Sequence, residues 1–143
     1  MADFNLAYKN KIIPYEGGYD TDPNDSGNWT SGKINVGVIA GTNAGITSID
    51  YKDYYGMVPT ASQMKALTEM QRIAIWKKLY WDKINGDDIK NQRHAELIFD
   101  AQVNLGIGAA MKILAHALNM SFTPIQMNGT LLEALNDLNG RLS

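Results

Sequence analysis

Carboxylates are the side chains of this 143-residue chain whose types and spacing best suit chemistry. The densest group of them lies in Glu16-Gly17-Gly18-Tyr19-Asp20-Thr21-Asp22-Pro23-Asn24-Asp25-Ser26-Gly27. Glu16 follows a predicted helix, at the negative end of its dipole, and its neighbours Ile13, Tyr15 and Tyr19 can exclude water. Both conditions favour the protonated carboxyl group that a general acid requires. From these residues alone, an exposed helix-terminal glutamate without a catalytic role is an equal alternative.

Several other kinds of catalytic site are excluded by what the sequence lacks. There is no cysteine, which excludes disulfides, thiolate zinc sites and cysteine nucleophiles. The two histidines, His94 and His116, are not in the H-E-x-x-H pattern of a zinc hydrolase. No G-x-S-x-G, P-loop or dinucleotide-binding glycine motif is present. We therefore expect no metal and no cofactor.

The aspartates after Glu16 have an alternative interpretation as a calcium loop. Asp20, Asp22 and Asn24 occupy alternate positions, as at the start of an EF-hand. The sixth position is Asp25, where the turn requires glycine, and the twelfth is Ser31, where a bidentate glutamate belongs. A solvated turn rich in aspartate is the interpretation that this pattern favours.

Helices are predicted on both sides of this carboxylate segment. Apolar side chains at helical spacing predict a helix over residues 3–15, which Asp3 caps and Gly17-Gly18 ends. They are Phe4, Tyr8, Ile12 and Tyr15. Residues 17–59 are rich in Gly, Asn, Asp, Ser and Thr and predict a long functional loop. Within it, residues 34–39 are candidates for a short strand or hairpin.

The rest of the chain predicts a bundle of helices. Capping-box patterns at Thr60–Gln63, Thr68–Gln71 and Thr130–Glu133 predict three helix starts. Two further helices are predicted over residues 92–105 and 109–119. A single apolar stripe is predicted after Thr68. It comprises Met70, Ile73, Ala74, Lys77, Tyr80 and Trp81.

Composition sets the broad class of protein. Hydrophobic residues make up 45% and charged residues 20%, as in an ordinary globular domain. The formal net charge of -2 gives no reason to expect a nucleic-acid partner, and no apolar run is long enough for membrane insertion. The N-terminal residues lack the pattern of a signal peptide. We expect a monomer made in the cytoplasm.

Six segments together form a recognisable pattern. They are Glu16-Gly17-Gly18-Tyr19, Asp22-Pro23-Asn24-Asp25 with Gly27, Thr42-Asn43-Ala44-Gly45-Ile46-Thr47, Tyr80-Trp81-Asp82, Phe99-Asp100-Ala101-Gln102-Val103-Asn104-Leu105-Gly106, and Asn128-Gly129-Thr130 with Ala134-Leu135-Asn136. This pattern resembles glycoside hydrolase family 108, whose members are N-acetylmuramidases of phages and bacteria, some of them described as secretion activators. The spacing from Glu16 to Asp25 is also similar to that of phage-type lysozymes. The resemblance covers nearly the whole chain, although residues 26–41 form a longer connection than the family pattern.

The resemblance implies a mainly α fold of the α+β lysozyme type. It implies a peptidoglycan hydrolase that cleaves the β-1,4 bond between N-acetylmuramic acid and N-acetylglucosamine. In that chemistry Glu16 is the general acid and Asp25 the second carboxylate, with Asp22 in reserve. Thr42 or Thr47 would orient a water molecule.

Aromatic and amide side chains are candidates for sugar contacts. Trp29, in a polar loop, is a stronger candidate than Tyr19, Tyr80 or Trp81, and at least one of the last two is expected in the core. Asp22, Asn24 and Asn104 are the polar candidates. Asn104 lies one helical turn after Asp100, which favours a structural hydrogen bond between the two.

The resemblance also implies an organisation and a place of action. Residues 1–90 would form a lysozyme-like catalytic region, and residues 91–143 a helical peptidoglycan-binding region packed on it. The partners would be the glycan strands of the cell wall or periplasm, reached through a holin or dedicated export. The alternative is a non-catalytic peptidoglycan-binding or secretion-associated protein that keeps the fold.

Overall fold

Helices dominate the computed structural model, which describes residues 1–120, 127 and 129–142. The α-helices are α1 (Phe4–Ala7), α2 (Ser48–Tyr55), α3 (Ala61–Lys65), α4 (Glu69–Trp76), α5 (Gln92–Leu105), α6 (Ile107–Ala117) and α7 (Gly129–Leu142). Strands β1 (Tyr19–Asp20) and β2 (Thr42–Asn43) form a small antiparallel sheet. The predicted fold class, mainly α with a small β element after the first helix, is confirmed.

The first helical run ends where the sequence predicts. Asp3 caps α1 by accepting the N–H of Asn5 at 2.8 Å. A π-helical turn at Tyr8–Ile12 and a 3-10 turn at Ile13–Tyr15 continue the run, so Glu16 is the next residue. Gly17 and Gly18 follow Glu16, and the loop begins with them.

The chain divides into two compact units. The first unit comprises Met1–Pro14 and Tyr80–Ser143, and the second comprises Tyr15–Leu79. In the first unit α5 packs against α1 and against the π-helical turn that follows it. The functional boundary expected near residue 90 stays a prediction.

An aromatic cluster forms the core of the first unit. The rings of Phe4, Trp81 and Phe99 meet edge to face, with centroids 5.5–6.1 Å apart. Trp81 is fully buried, and its indole N–H donates to Asp87 at 2.8 Å. Gly86 packs directly under the indole ring, where a Cβ atom would overlap it. Trp81 is therefore a core residue, as the sequence favoured for at least one of the aromatic pair.

The second unit has its own core, and the predicted stripe after Thr68 is partly wrong. Ile75 and Trp76 are buried, whereas Met70 is 83% exposed. The helix changes to a π-helical turn at Lys77–Trp81, which shifts the side-chain period away from 3.6 residues. Constant α-helical spacing carried back from Trp81 across that turn therefore misses Ile75 and Trp76, which are the buried residues of α4.

The β pairing lies elsewhere than residues 34–39. Tyr19 pairs with Asn43 and Asp20 with Thr42. Residues 34–39 contain no strand, and the nearest pairing is an isolated bridge between Trp29 and Ile39. Since Asn35 and Gly37 adopt positive φ angles of 66° and 83°, this segment turns rather than extends.

Helix starts with capping boxes are confirmed, and the later boundaries differ slightly. Thr60 and Thr68 each cap a helix through Gln63 and Gln71. The predicted helix over 92–105 is observed as Gln92–Leu105, while α6 begins at Ile107, two residues earlier than predicted. Helix α7 begins at Gly129, so the predicted cap Thr130 lies inside the helix. The side chain of Thr130 and the whole of Asn128 lie outside the described residues.

Candidate active site

Three of the predicted catalytic residues converge on Gly27. A Cβ atom built at Gly27 would lie 3.3 Å from Oδ1 of Asp25, 3.4 Å from Cγ2 of Thr47 and 3.8 Å from Oγ1 of Thr42. Asp25 is fixed there because its Oδ1 accepts the N–H of Gly27 at 2.9 Å, which caps the 3-10 turn Ser26–Asn28. We call this group, Asp25, Gly27, Thr42 and Thr47, the Gly27 cluster. All its members belong to the second unit.

The two threonines of the Gly27 cluster use their hydroxyl groups differently. Thr47 caps α2, since its Oγ1 donates to Oδ2 of Asp50 at 3.1 Å and accepts the N–H of Asp50 at 3.2 Å. Its single proton is therefore committed to the capping box. Thr42 instead makes a long hydrogen bond of 3.3 Å to the carbonyl of Gly27. Thr42 is the threonine better able to exchange that bond for one to a water molecule.

Glu16 lies close in sequence to the sheet that carries Thr42. The carbonyl of Gly18 accepts the N–H of Ala44 at 3.1 Å, which joins the segment after Glu16 to the residue after β2. Glu16 itself is half-buried. The prediction that Ile13 and Tyr15 exclude water from Glu16 is wrong, because these side chains are 44% and 81% exposed. The position at the end of the helical run is confirmed, and the apolar surroundings are not.

The aspartate-rich segment is a series of tight turns. Asp20 and Asp22 accept backbone N–H groups two residues ahead, at 3.3 and 2.9 Å, and the latter donor is Asn24. Asp22 and Asn24 are both exposed. Within the described part of the chain, no group of three or more histidine, cysteine or acidic side chains is arranged to hold a metal ion. These turns fit the solvated, aspartate-rich turn that the sequence favours.

Tyr19 and Trp29 both support the loop. The Tyr19 hydroxyl donates to the carbonyl of Ala40 at 2.6 Å, and its ring packs on Gly41, where a Cβ atom would come within 2.6 Å. Gly41 has a φ of 87°, so the position requires glycine for its backbone as well. The indole N–H of half-buried Trp29 donates to the carbonyl of Pro23 at 2.9 Å. Their predicted sugar contacts stay predictions.

The remaining predicted contacts, Tyr80 and Asn104, lie in the first unit. Tyr80 is half-buried. Asn104 is exposed, and its Nδ2 donates to the backbone carbonyl of Asp100 at 2.9 Å and to its Oδ1 at 3.0 Å. The structural hydrogen bond expected within this pair is confirmed.

Comparison with known proteins decides the family. The family model described as glycosyl hydrolase 108 matches residues 9–106, a span that contains Glu16 and the whole Gly27 cluster. The chain belongs to the glycosyl hydrolase 108 family. No curated protein matches it.

A solved structure supports the same assignment. The glycosyl hydrolase 108 chain is similar to the structure of SagA from Brucella abortus, with a TM-score of 0.74 and 25% sequence identity. The match covers 94% of this chain and 68% of the SagA chain. Family and fold together support a peptidoglycan-hydrolase-like lysozyme fold with a glycan as the class of substrate. Among the described residues of this family member, no helix is both long and apolar enough to cross a bilayer.

Sequence reasoning missed Asn28, the residue that links the acidic loop to the segment before β2. Asn28 is fully buried, and its Nδ2 donates to Oδ2 of Asp20 at 3.0 Å and to the carbonyl of Asp22 at 2.9 Å. The backbone carbonyl of Asn28 accepts the N–H groups of Ala40 and Gly41, each at 3.0 Å. Nothing in the sequence distinguishes Asn28 from the exposed Asn24.

A second residue that sequence reasoning missed, Asn43, anchors β2 next to Thr42. Asn43 is buried beside Thr42, and its Nδ2 donates to the carbonyl of Met64 at 2.8 Å. Its Oδ1 accepts from Arg72 of α4 at 3.3 Å. This contact joins β2 to α4, which are far apart in sequence, so no local sequence pattern predicts it. By contrast, Thr47-Ser48-Ile49-Asp50 has the capping-box form and could have been identified from sequence.

Proposed function

We propose that this protein is a lysozyme-type muramidase that cleaves the β-1,4 bond between N-acetylmuramic acid and N-acetylglucosamine in peptidoglycan. The observation that carries the proposal is the Gly27 cluster, which holds a carboxylate and a hydroxyl group around the small volume that glycine leaves open. Membership of the glycosyl hydrolase 108 family supports the substrate class.

Glu16 acts as the general acid in this mechanism. Glycosidic bond cleavage leaves an alkoxide on the departing sugar, and protonation of that oxygen by a carboxylic acid removes the charge as it forms. Glu16 is the carboxyl group that directly follows the helical run. The proton passes from the Glu16 carboxyl group to the glycosidic oxygen.

Asp25 is the second carboxylate, and Thr42 assists it. An oxocarbenium-like transition state requires a negative charge or an activated water on the other side of the sugar. Asp25 is exposed, and only its Oδ1 is bound to Gly27 in the contacts described. Oδ2 is the oxygen that we assign to the sugar or to water. Thr42 orients that water with the hydroxyl group that makes the long bond to Gly27.

We assign Thr47 a role different from that of Thr42. Its hydroxyl proton belongs to the Asp50 capping box, so Thr47 contributes its methyl group to the wall of the Gly27 cluster. We assign water orientation to Thr42 alone.

Product analysis on purified peptidoglycan tests the proposal. We expect the protein to release soluble fragments with new N-acetylmuramic acid reducing ends. New N-acetylglucosamine reducing ends would show cleavage of the other glycosidic bond and would overturn the stated specificity. Binding to the wall without any new reducing end would favour the non-catalytic alternative. Because the proposed substrate lies outside the cytoplasm, we propose that the protein acts at the cell wall. We also propose that it acts as a monomer.

A further inference from the structure

Helix α2 carries tyrosines that the protein's own core does not explain. The buried residues of α2 are Ser48 and Asp50, so the helix places no apolar side chain in the core. An amphipathic helix of a globular protein ordinarily buries an apolar stripe. Tyr54 and Tyr55 instead lie at the surface, each 37% exposed, and Tyr51 beside them is half-buried. We consider Tyr51, Tyr54 and Tyr55 together. We call these three residues the tyrosine cluster.

The three rings are held against one another. The centroid of Tyr55 is 4.5 Å from that of Tyr51 and 4.8 Å from that of Tyr54. Partial burial and the two neighbouring phenols raise the pKa of Tyr55. The ring contacts make the three side chains one preformed aromatic surface.

Helix α2 links the tyrosine cluster to the Gly27 cluster. Thr47 caps α2 and belongs to the Gly27 cluster, and α2 packs against the turn Ser26–Asn28. Tyr51, Tyr54 and Tyr55 follow Thr47 by four, seven and eight positions, which puts them on the same side of the helix. At a rise of 1.5 Å per residue, the cluster extends roughly 12 Å from Thr47, which is longer than one sugar ring.

We infer that the tyrosine cluster is a binding subsite for the glycan strand beyond the cleaved bond. This inference rests on the proposed function. Pyranose rings present apolar C–H faces and hydroxyl edges, and a tyrosine offers an apolar face and a polar tip to match them. Its ligand is a β-1,4-linked N-acetylhexosamine oligomer long enough to reach past the Gly27 cluster.

A sugar fits the surface better than a protein partner does. A whole aromatic side chain covers about 150–250 Å², so three partly buried ones present less than the ~800 Å² that each partner of a stable protein complex buries. The neighbouring positions Lys52 and Asp53 are exposed and charged. Charged residues are depleted at the centres of protein interfaces.

Calorimetric binding of soluble N-acetylglucosamine oligomers tests the subsite without using catalysis. The parent protein is Glu16→Gln, which keeps ligands intact, and the probes are the dimer and the hexamer. We expect the hexamer to bind more tightly than the dimer. Replacing all three tyrosines by alanine should weaken hexamer binding by roughly fivefold or more, and dimer binding little. The matched control Met70→Ala removes an exposed side chain of the same unit and should leave both affinities unchanged.

A second set of variants separates binding from folding. The triple phenylalanine variant keeps the rings and should retain the preference for the hexamer. Tyr54→Ala alone leaves the Tyr51–Tyr55 pair in place and should weaken hexamer binding with unchanged circular dichroism. If the triple alanine variant does not fold, these two variants decide the question.

The inference is overturned if the parent shows no hexamer preference, or if folded variants that lack cluster rings bind as the parent does. It is also overturned if the parent self-associates and the alanine substitutions abolish that association, since the surface would then be a contact between copies. The proposed catalysis fails separately, through the absence of new reducing ends from wild-type protein on peptidoglycan. The subsite and the chemistry can thus be refuted independently.

Discussion

Oδ1 of Asp25 accepts the N–H of Gly27 and lies 3.3 Å from the point where a Cβ atom would stand on the same glycine. The carboxylate is therefore positioned by the very residue whose missing side chain gives it room. Gly27 has no positive φ that would require glycine, so its small size is what the position uses.

Gly27→Ala is expected to lower activity more than stability. A methyl group at 3.3 Å displaces the exposed Asp25 carboxylate by a few tenths of an ångström, and a 1 Å misplacement can cost about 100-fold. We expect roughly a tenfold loss in reducing-end release and less than about 1 kcal/mol in the free energy of unfolding. Activity assays and urea titration measure the two. Full activity in the alanine variant would show that the cluster does not position Asp25.

Thr47→Val should lower mainly the stability of the protein, whereas Thr42→Val should lower mainly its activity. Thr47→Val removes the cap of α2 and should cost about 1 kcal/mol of unfolding free energy, whereas Thr47→Ser keeps the hydroxyl group and should restore it. Thr42→Val removes the hydroxyl group assigned to water together with its long hydrogen bond to the carbonyl of Gly27, and should reduce activity at a stability cost below about 1 kcal/mol. Denaturation curves and initial rates for the three variants check the assignment. A Thr42→Val protein with wild-type rates would remove Thr42 from the mechanism.

Asn28→Ala should loosen the acidic loop. It removes two hydrogen bonds, to Oδ2 of Asp20 and to the carbonyl of Asp22, although that carbonyl keeps the N–H of Asp25. The loss of both bonds should cost about 1–3 kcal/mol. The control Asn24→Ala changes an exposed residue of the same loop and should stay within about 0.5 kcal/mol of wild type. Thermal and urea denaturation of both variants provide the measurement. Equal stability of the two would mean that Asn28 does not hold the loop.

Gly86→Ala should be strongly destabilising. The added Cβ atom overlaps the buried indole ring of Trp81, so the aromatic core of the first unit must shift at a cost of about 3 kcal/mol or more. Gly108 lies within α6 and has no atom within 4 Å of its Cβ position. Gly108→Ala is the matched control and should stabilise by about 0.5–1 kcal/mol. If both substitutions behave alike in urea titration, the described packing of Trp81 is wrong.

What the sequence predicted well is local. Asp3, Thr60 and Thr68 sit next to the backbone groups that they cap, so residue type and spacing were sufficient. Glu16 was placed at the helix end because Gly17 and Gly18 follow it directly. The convergence of Asp25 with the two threonines was implied by family resemblance rather than by spacing.

What the sequence could not predict depends on contacts between distant residues. The pairing of Tyr19 with Asn43 cannot be seen in either segment alone, and the more β-like residues 34–39 were the natural choice. The burial of Asn28 depends on acceptors at Asp20 and Asp22 that only the folded loop brings together. The exposure of Tyr15 beside Glu16 likewise depends on how the folded chain packs. From sequence alone, an aromatic residue at that position could equally belong to the core.

The rate of reducing-end release from purified peptidoglycan by Glu16→Gln, compared with wild type, tests the central claim most directly. Glutamine keeps the size and hydrogen-bonding capacity of glutamate but has no acidic proton to give. General acid catalysis contributes about 10²–10⁴-fold, so we predict a loss of at least about 100-fold in a variant whose circular dichroism and wall binding match wild type. A correctly folded Glu16→Gln protein that releases N-acetylmuramic acid reducing ends at the wild-type rate would contradict the assignment of Glu16 as the acid.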